Sequence, residues 1–206
     1  MLKMQAKNVV PVELLLRRKV LNLGSGHKYV SDAVNLDITP ATQPDLVHDL
    51  NRRPWPLPDN HFREVLAYDV IEHLDETIAT LEEIHRVSSD GAIVRLTVPH
   101  FSCSNAFTDP THQHYFGRFS FDCLTQGDEH DYYTNARFRQ RSCRIVFHPS
   151  LLNKLVWRIA NRYPLAYERR WAWIFPAWFM SIELEVLKRT DNRSTDESQA
   201  NSNSYD

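Results

Sequence analysis

The residues Lys19 to Gly26, KVLNLGSG, do most to narrow what this chain can become: a short apolar strand runs straight into glycine, serine, glycine. A strand ending this way lets the backbone approach a ligand beyond its carboxyl end, which is where open α/β sheets bind their ligands. Glycine is scarce, five in 206 residues, about a third of average usage, so a pair flanking one serine marks a backbone requirement. A second apolar run, AVNLD, ends at Asp37, eleven positions past Gly26. That spacing admits a turn between the two strands and leaves the usual intervening helix missing or shortened.

The rest of the chain continues the alternation. Asp45–Val47 reads as a third strand, and NRRPWPLPDNHF, with three prolines in a dozen residues, as an irregular surface loop. REVLAYDV supplies a fourth strand. Asp75-Glu76 opens a helix whose Ile78, Leu81, Ile84 and Val87 recur at helical spacing, and Asp90-Gly91 turns the chain into a fifth strand, AIVRLTV. Strands alternating with helices predict a mostly parallel sheet covered on both faces. FRQRSCRIVF reads as a strand, LLNKLVWRIANRY as a helix and SIELEVLKR as a late strand, the last strands pairing antiparallel at one edge. Residues 99–136, rich in histidine and aromatic side chains, look like a substrate-side cover in which Gly117 and Gly127 allow bending. Residues 1–189 are expected to form one domain and the polar run 190–206 to be disordered.

Net charge −2 and a near-neutral body give no basic footprint for nucleic acid. The three cysteines, Cys103, Cys123 and Cys143, are an odd set, and no leader pattern precedes them, so a reduced, cytoplasmic protein without disulfides is expected. No apolar run reaches the length of a transmembrane helix. The aromatic run Trp171–Met180 holds Pro176 and is expected in the core, with a lipid surface as the rarer alternative. Arg137, Arg139, Arg141 and Arg144 suit either an anionic acceptor or a solvated edge strand.

Tyr29 stands where a dinucleotide fingerprint wants a small residue for close helix packing, which disfavours pyrophosphate binding. No glycine-lysine-serine or glycine-lysine-threonine occurs, which excludes a P-loop. Asp37, closing the second strand, can accept hydrogen bonds from both hydroxyls of a ribose, and Asp49 can accept from an adenine amino group. A nucleoside without pyrophosphate suits this set best, and S-adenosylmethionine is such a molecule.

The patterns LNLGSGH, VNLD, VHDLN, PWPLPDNHF, DVIEHL and LEEIHRV stand in order from Val20 to the end of the fifth strand, with SIELEVLKR near the end. In these motifs the sequence resembles the small bacterial class I S-adenosylmethionine-dependent methyltransferases. The resemblance implies a Rossmann-like α/β fold with a mostly parallel sheet, an antiparallel edge strand and a shortened first helix. It implies that Leu23, Gly24, Ser25 and Gly26 lie against the amino-acid part of the cofactor, Asp37 against the ribose, Asp49 and Leu50 beside the adenine, and Tyr68 with Asp69 beside the methionine. His73 matches a histidine common in such sequences.

The implied activity is methyl transfer to a small-molecule or glycan-like acceptor, at oxygen, with a non-catalytic cofactor-binding partner or regulatory subunit as the alternative. Methyl transfer from a sulfonium needs alignment, and a hydroxyl acceptor also needs a proton removed. Histidine suits that task. His100 follows the fifth strand on the ligand edge, and His112 and His114 stand in DPTHQH, so His100 or His114 is expected as the base with His112 behind them. These histidines with Asp109 could hold a metal, but the spacing matches no strong zinc signature, and no metal is assigned.

Overall fold

The computed structural model describes residues 12–125 and 131–188. In chain order the elements are α1 (Val12–Leu15), β1 (Val20–Leu23), β2 (Ala33–Asp37), β3 (Leu46–Val47), β4 (Phe62–Tyr68), α2 (Thr77–Val87) and β5 (Ser88–Pro99). They continue with α3 (Asn105–Thr108), β6 (Arg137–Val146), α4 (Leu151–Arg162), α5 (Pro164–Arg170) and β7 (Phe179–Leu187). Seven strands form one sheet in the order β3-β2-β1-β4-β5-β7-β6. The five strands β1 to β5 pair in parallel, and β7 enters antiparallel between β5 and β6. The sheet order reverses at β1, so its carboxyl edge there offers a ligand crevice.

No helix joins β1 to β2. Side chains hold that connection instead: Asn22 Nδ2 donates to Lys28 O and to Asn35 Oδ1, both at 2.9 Å, and Asn35 Oδ1 also accepts from Val30 N–H. Asn35 Nδ2 passes the network to Asp45, which pairs with Arg18 at 2.9 Å and accepts from the Tyr29 hydroxyl. Buried polar groups that satisfy one another in this way fix a turn as firmly as a packed helix would.

One face of the sheet is apolar. Val65, Ala67, Val94, Leu96, Ile182 and Leu184 share it, and Leu81, Ile84 and Val87 of α2 pack in the same buried cluster. The opposite face carries a ladder of charge among the described residues. Arg95 pairs with Glu64 at 2.7 Å and with Glu183, and Arg139 and Arg141 both reach Glu185, at 3.0 and 2.9 Å. The expectation of a sheet covered on both faces is met at β2, every residue of which is buried, and is corrected along this ladder, where the side chains of Arg95, Arg139 and Arg141 are 43%, 59% and 50% exposed. These pairs also settle Arg139 and Arg141 as parts of a charged sheet face.

Three further readings change. The proline-rich loop is irregular but not merely superficial, since Trp55 and Leu57 are buried in the core. Trp55 N–H donates to Glu83 at 2.8 Å, and Arg86 donates to the main-chain oxygens of Trp55 and Leu57 while forking onto Glu83. Gly91 lies inside β5 rather than ahead of it. Its φ of +72° lets the residues between Ser88 and Ile93 bulge where the register against β4 shifts. The aromatic run 171–180 is only partly in the core: Ala172, Ala177 and Met180 are buried, whereas Trp171, Trp173 and Ile174 are exposed. Cys103, Cys123 and Cys143 form no disulfide among the described residues. The expectations for Gly127 and for residues 190–206 lie outside the described residues.

Candidate functional site

The carboxyl ends of β1 and β2 meet at the glycine turn. Gly24 takes φ +55°, and a Cβ there would stand 2.3 Å from a Val70 methyl, so only glycine permits both the backbone shape and the approach of β4's exit. Gly26 N–H donates to Asp37 Oδ2 at 2.7 Å, and Thr39 N–H donates to Asp37 Oδ1 at 2.9 Å. Asp37 thus ties the turn after β1 to the end of β2, leaving further lone pairs on its oxygens. Leu23 and Ser25 are buried beside it, and the Ser25 hydroxyl lacks a partner. Asp49 accepts from Asn51 N–H at 3.0 Å just past β3, and the buried Leu50 accepts from the Trp55 indole through its carbonyl.

Next to this turn, beyond β4 and β5, lies a cavity of about 910 Å³, within the range of small-molecule sites. Tyr68, Asp69, Glu72, His73 and His112 contribute to its walls, with Lys28 reaching in from the β1 side and Trp178 and Phe179 from the start of β7. Asp69 has φ +57°, a conformation tolerated by aspartate, and its carboxylate accepts from Thr97 Oγ1 and pairs with Lys28, both at 2.9 Å. Of the expected cofactor residues, Tyr68, Asp69 and His73 line the cavity, while Leu23 to Gly26, Asp37, Asp49 and Leu50 are outside its lining, at or just past the carboxyl ends of β1, β2 and β3.

The cover segment docks on the turn Ile71–His73 that follows β4. Glu72 O accepts from the N–H groups of Gln113 and His114, and Gln113 Nε2 donates to His73 O at 2.9 Å. Thr111 Oγ1 donates to Asp109, which leaves it to accept from His73 Nδ1 at 2.8 Å. The rings of His73 and His112 meet edge to face with centroids 4.6 Å apart. His112 Nδ1 donates to Ala106 O at 3.1 Å. In the neutral form each ring therefore carries its proton on Nδ1 and leaves Nε2 as the lone pair.

Beneath these rings Glu72 is 1% exposed, and neither of its carboxylate oxygens has a hydrogen-bond partner. Burial pushes its carboxyl up to about 7. Burial, followed by the neighbouring His112, holds His73 below its usual value. Glu72, His73 and His112 each offer a ligating atom, and these atoms lie within 4.8 Å of one another.

No protein-family profile matches the chain, and no curated protein matches it by sequence. Solved structures do match. A SAM dependent methyltransferase from Archaeoglobus fulgidus superposes with a TM-score of 0.57 at 16% identity, over 82% of this chain and 86% of that one. The fold is that of the class I S-adenosylmethionine-dependent methyltransferases. Two other structures share it. A chain from the complex between the Haloferax volcanii Trm112 methyltransferase activator and a presumed methyltransferase has a TM-score of 0.53 at 15% identity, covering 86% of this chain and 89% of that one. The [4+2]-cyclase SpnF has a TM-score of 0.52 at 15% identity, covering 86% and 80%.

Within this methyltransferase fold the three histidines expected as bases separate. His112 lines the cavity. His100 is 0% exposed, its Nδ1 2.8 Å from Ser102 Oγ and its Nε2 3.2 Å from Glu168. Glu168 also accepts from Arg118 N–H, so His100 ties the end of β5 to α5 and the cover. His114 Nε2 donates to the main-chain oxygens of Leu74 and Asp75, at 2.8 and 3.2 Å. Their local bonds keep His100 and His114 out of the cavity wall, and the metal-ligating geometry falls on Glu72 and His73 with His112. Sequence spacing missed Glu72, Lys28 and Trp178. In the sequence Glu72 shows only as a carboxylate beside His73 in DVIEHL, which does not reveal its surroundings.

Proposed function

We propose that the chain transfers the methyl group of S-adenosylmethionine to a small-molecule or glycan-like acceptor, at oxygen. The observation that carries this reading is a glycine turn with Asp37 bonded across it at the same carboxyl edge of the sheet as the cavity beyond β4 and β5. The turn Gly24–Gly26 would hold the amino-acid part of the cofactor, Asp37 the ribose, Asp49 and Leu50 the adenine, and Tyr68 and Asp69 the methionine, with the methyl directed into the cavity. An acceptor oxygen there forms its bond to the methyl carbon as the carbon–sulfur bond breaks, with the electron pair going to sulfur and yielding the neutral thioether. The hydroxyl gives up its proton on the side lined by Glu72, His73 and His112, and His100 and His114 act as positioning residues that seat the cover.

Calorimetry with S-adenosylmethionine, S-adenosylhomocysteine and NAD tests the cofactor, and transfer of labelled methyl into glycan and metabolite extracts tests the reaction. The adenosyl compounds are expected to bind and NAD not to bind. His112→Ala is expected to lower turnover about a hundredfold or more while leaving S-adenosylhomocysteine affinity in place. Binding without transfer to any extract would move the chain to a second reading, a cofactor-binding partner subunit, and failure of both adenosyl compounds to bind above millimolar affinity would remove both.

A further inference from the structure

Glu72 presents a problem that the cofactor does not solve: a carboxylate without a hydrogen-bond partner, closed off from solvent, facing two imidazoles. Each imidazole is oriented from behind. Thr111, itself bonded to Asp109, receives His73 Nδ1–H, and the Ala106 carbonyl receives His112 Nδ1–H. Backing bonds of this kind fix the tautomer and ring angle of metal-binding histidines. We propose that Glu72, His73 and His112 form a site for one divalent transition-metal ion, of the class that accepts imidazole and carboxylate together, with its open positions facing the cavity. Ligands about 2.1 Å from a tetrahedral ion stand about 3.4 Å apart, and rotation of the unbonded Glu72 side chain toward the two held imidazoles draws the 4.8 Å group toward that spacing. Resting on the methyl-transfer reading, the ion would take the acceptor hydroxyl, lower its pKa and hold the resulting oxygen in line with the sulfonium methyl while the proton leaves to water.

Chelator-treated, tag-free protein titrated with Co²⁺, followed by its visible bands, and with Zn²⁺ in the calorimeter reads the site without any turnover. One equivalent is expected to bind at micromolar affinity or tighter. Glu72→Gln and His112→Ala, each checked by circular dichroism, are expected to weaken binding about tenfold or more with S-adenosylhomocysteine affinity retained, so the cofactor reading is scored separately. Absence of one-equivalent binding in the wild type overturns the site even if a variant fails to fold, and so does unchanged affinity in both variants.

A second observation stands apart from the cavity. On α4, Leu151, Leu155 and Ile159 form one exposed row at helical spacing, and Lys154, Arg158 and Arg162 form an exposed row beside it. Trp171, Trp173 and Ile174, after α5, add further exposed apolar surface, with Leu151 85% and Trp173 68% exposed. Residues 148–178 hold five basic residues and one acid, Glu168, which is turned inward to His100. In a chain of net charge −2 this segment is +4 and the remainder −6. Apolar and aromatic side chains flanked by a basic row match the interfacial zone of an anionic bilayer. We infer that α4 and the 171–174 turn rest on an anionic lipid surface. No helix among the described residues is long and apolar enough to cross a membrane, so the contact is one of lying on the surface.

Flotation is expected to carry the protein with phosphatidylcholine vesicles that contain phosphatidylglycerol, with a blue shift of tryptophan emission and weaker binding in high salt. Leu155→Glu combined with Trp173→Glu is expected to lower vesicle affinity about tenfold or more while leaving circular dichroism unchanged. Failure to float with anionic vesicles overturns the inference, as does self-association in sedimentation that these same substitutions abolish.

Discussion

Gly24→Ala is expected to lower stability by about 3 kcal/mol and the melting temperature by roughly 10 °C, and to abolish measurable S-adenosylhomocysteine binding. The new Cβ meets two penalties at once. At φ +55° an L-residue occupies the left-handed region at a cost of about 1 kcal/mol, and the methyl would lie 2.3 Å from Val70 Cγ2 and 2.8 Å from its Cβ. Val70 cannot withdraw easily, because it is buried in the main core at the exit of β4. Relief must come from movement of the turn, and the turn presents Gly26 N–H to Asp37. Differential scanning calorimetry and isothermal titration read the two effects separately. Val70→Ala removes the 2.3 Å contact with Cγ2 but keeps the Cβ at 2.8 Å, so it is expected to recover only part of the steric loss in Gly24→Ala and none of the left-handed backbone cost. A full-strength cofactor complex in Gly24→Ala would show that the turn has no part in binding.

The glycine turn was legible because its requirement is local: the strand, the glycines and Asp37 lie within eighteen residues, and their bonding depends on little beyond the β1–β2 pairing. The strand order was partly legible for the same reason, since alternation of apolar runs and turns fixes which segments pair in parallel. Glu72 was not legible. Its environment forms only when Thr111 to His114 dock on it from forty residues away, and no pattern within DVIEHL specifies that docking. His100 shows the converse. It does follow β5 on the ligand edge, but Ser102 and Glu168 take both its ring nitrogens and turn it into the seam with α5. The side of the strand end on which a side chain falls depends on the packing of α5, which the sequence near His100 does not record. The aromatic run after α5 misled for a related reason: apolar composition identifies surface that needs covering and leaves open what covers it.

Asp37→Ala is expected to weaken S-adenosylmethionine and S-adenosylhomocysteine binding a hundredfold or more, about 3 kcal/mol, with a smaller loss of stability. The carboxylate has two tasks in one position. It accepts from Gly26 N–H at 2.7 Å and from Thr39 N–H at 2.9 Å, closing the turn after β1 onto the start of the β2–β3 connection. Its remaining lone pairs are the acceptors proposed for the ribose hydroxyls. Charge-assisted bonds of this kind are worth about 1.5–3 kcal/mol each, so losing either the turn or the ribose contact alone accounts for tenfold or more. Asp37→Asn separates the two tasks: its amide oxygen can still accept one backbone N–H, while its NH₂ group meets the other N–H or a hydroxyl as a donor. If Asn retains the melting temperature yet binds as poorly as Ala, the carboxylate acts on the ribose directly. If Asn restores binding along with the melting temperature, Asp37 works only by shaping the turn. Unchanged cofactor affinity in Asp37→Ala would detach this edge of the sheet from the cofactor altogether, and the cavity beyond β4 would then have to bind its ligand without it.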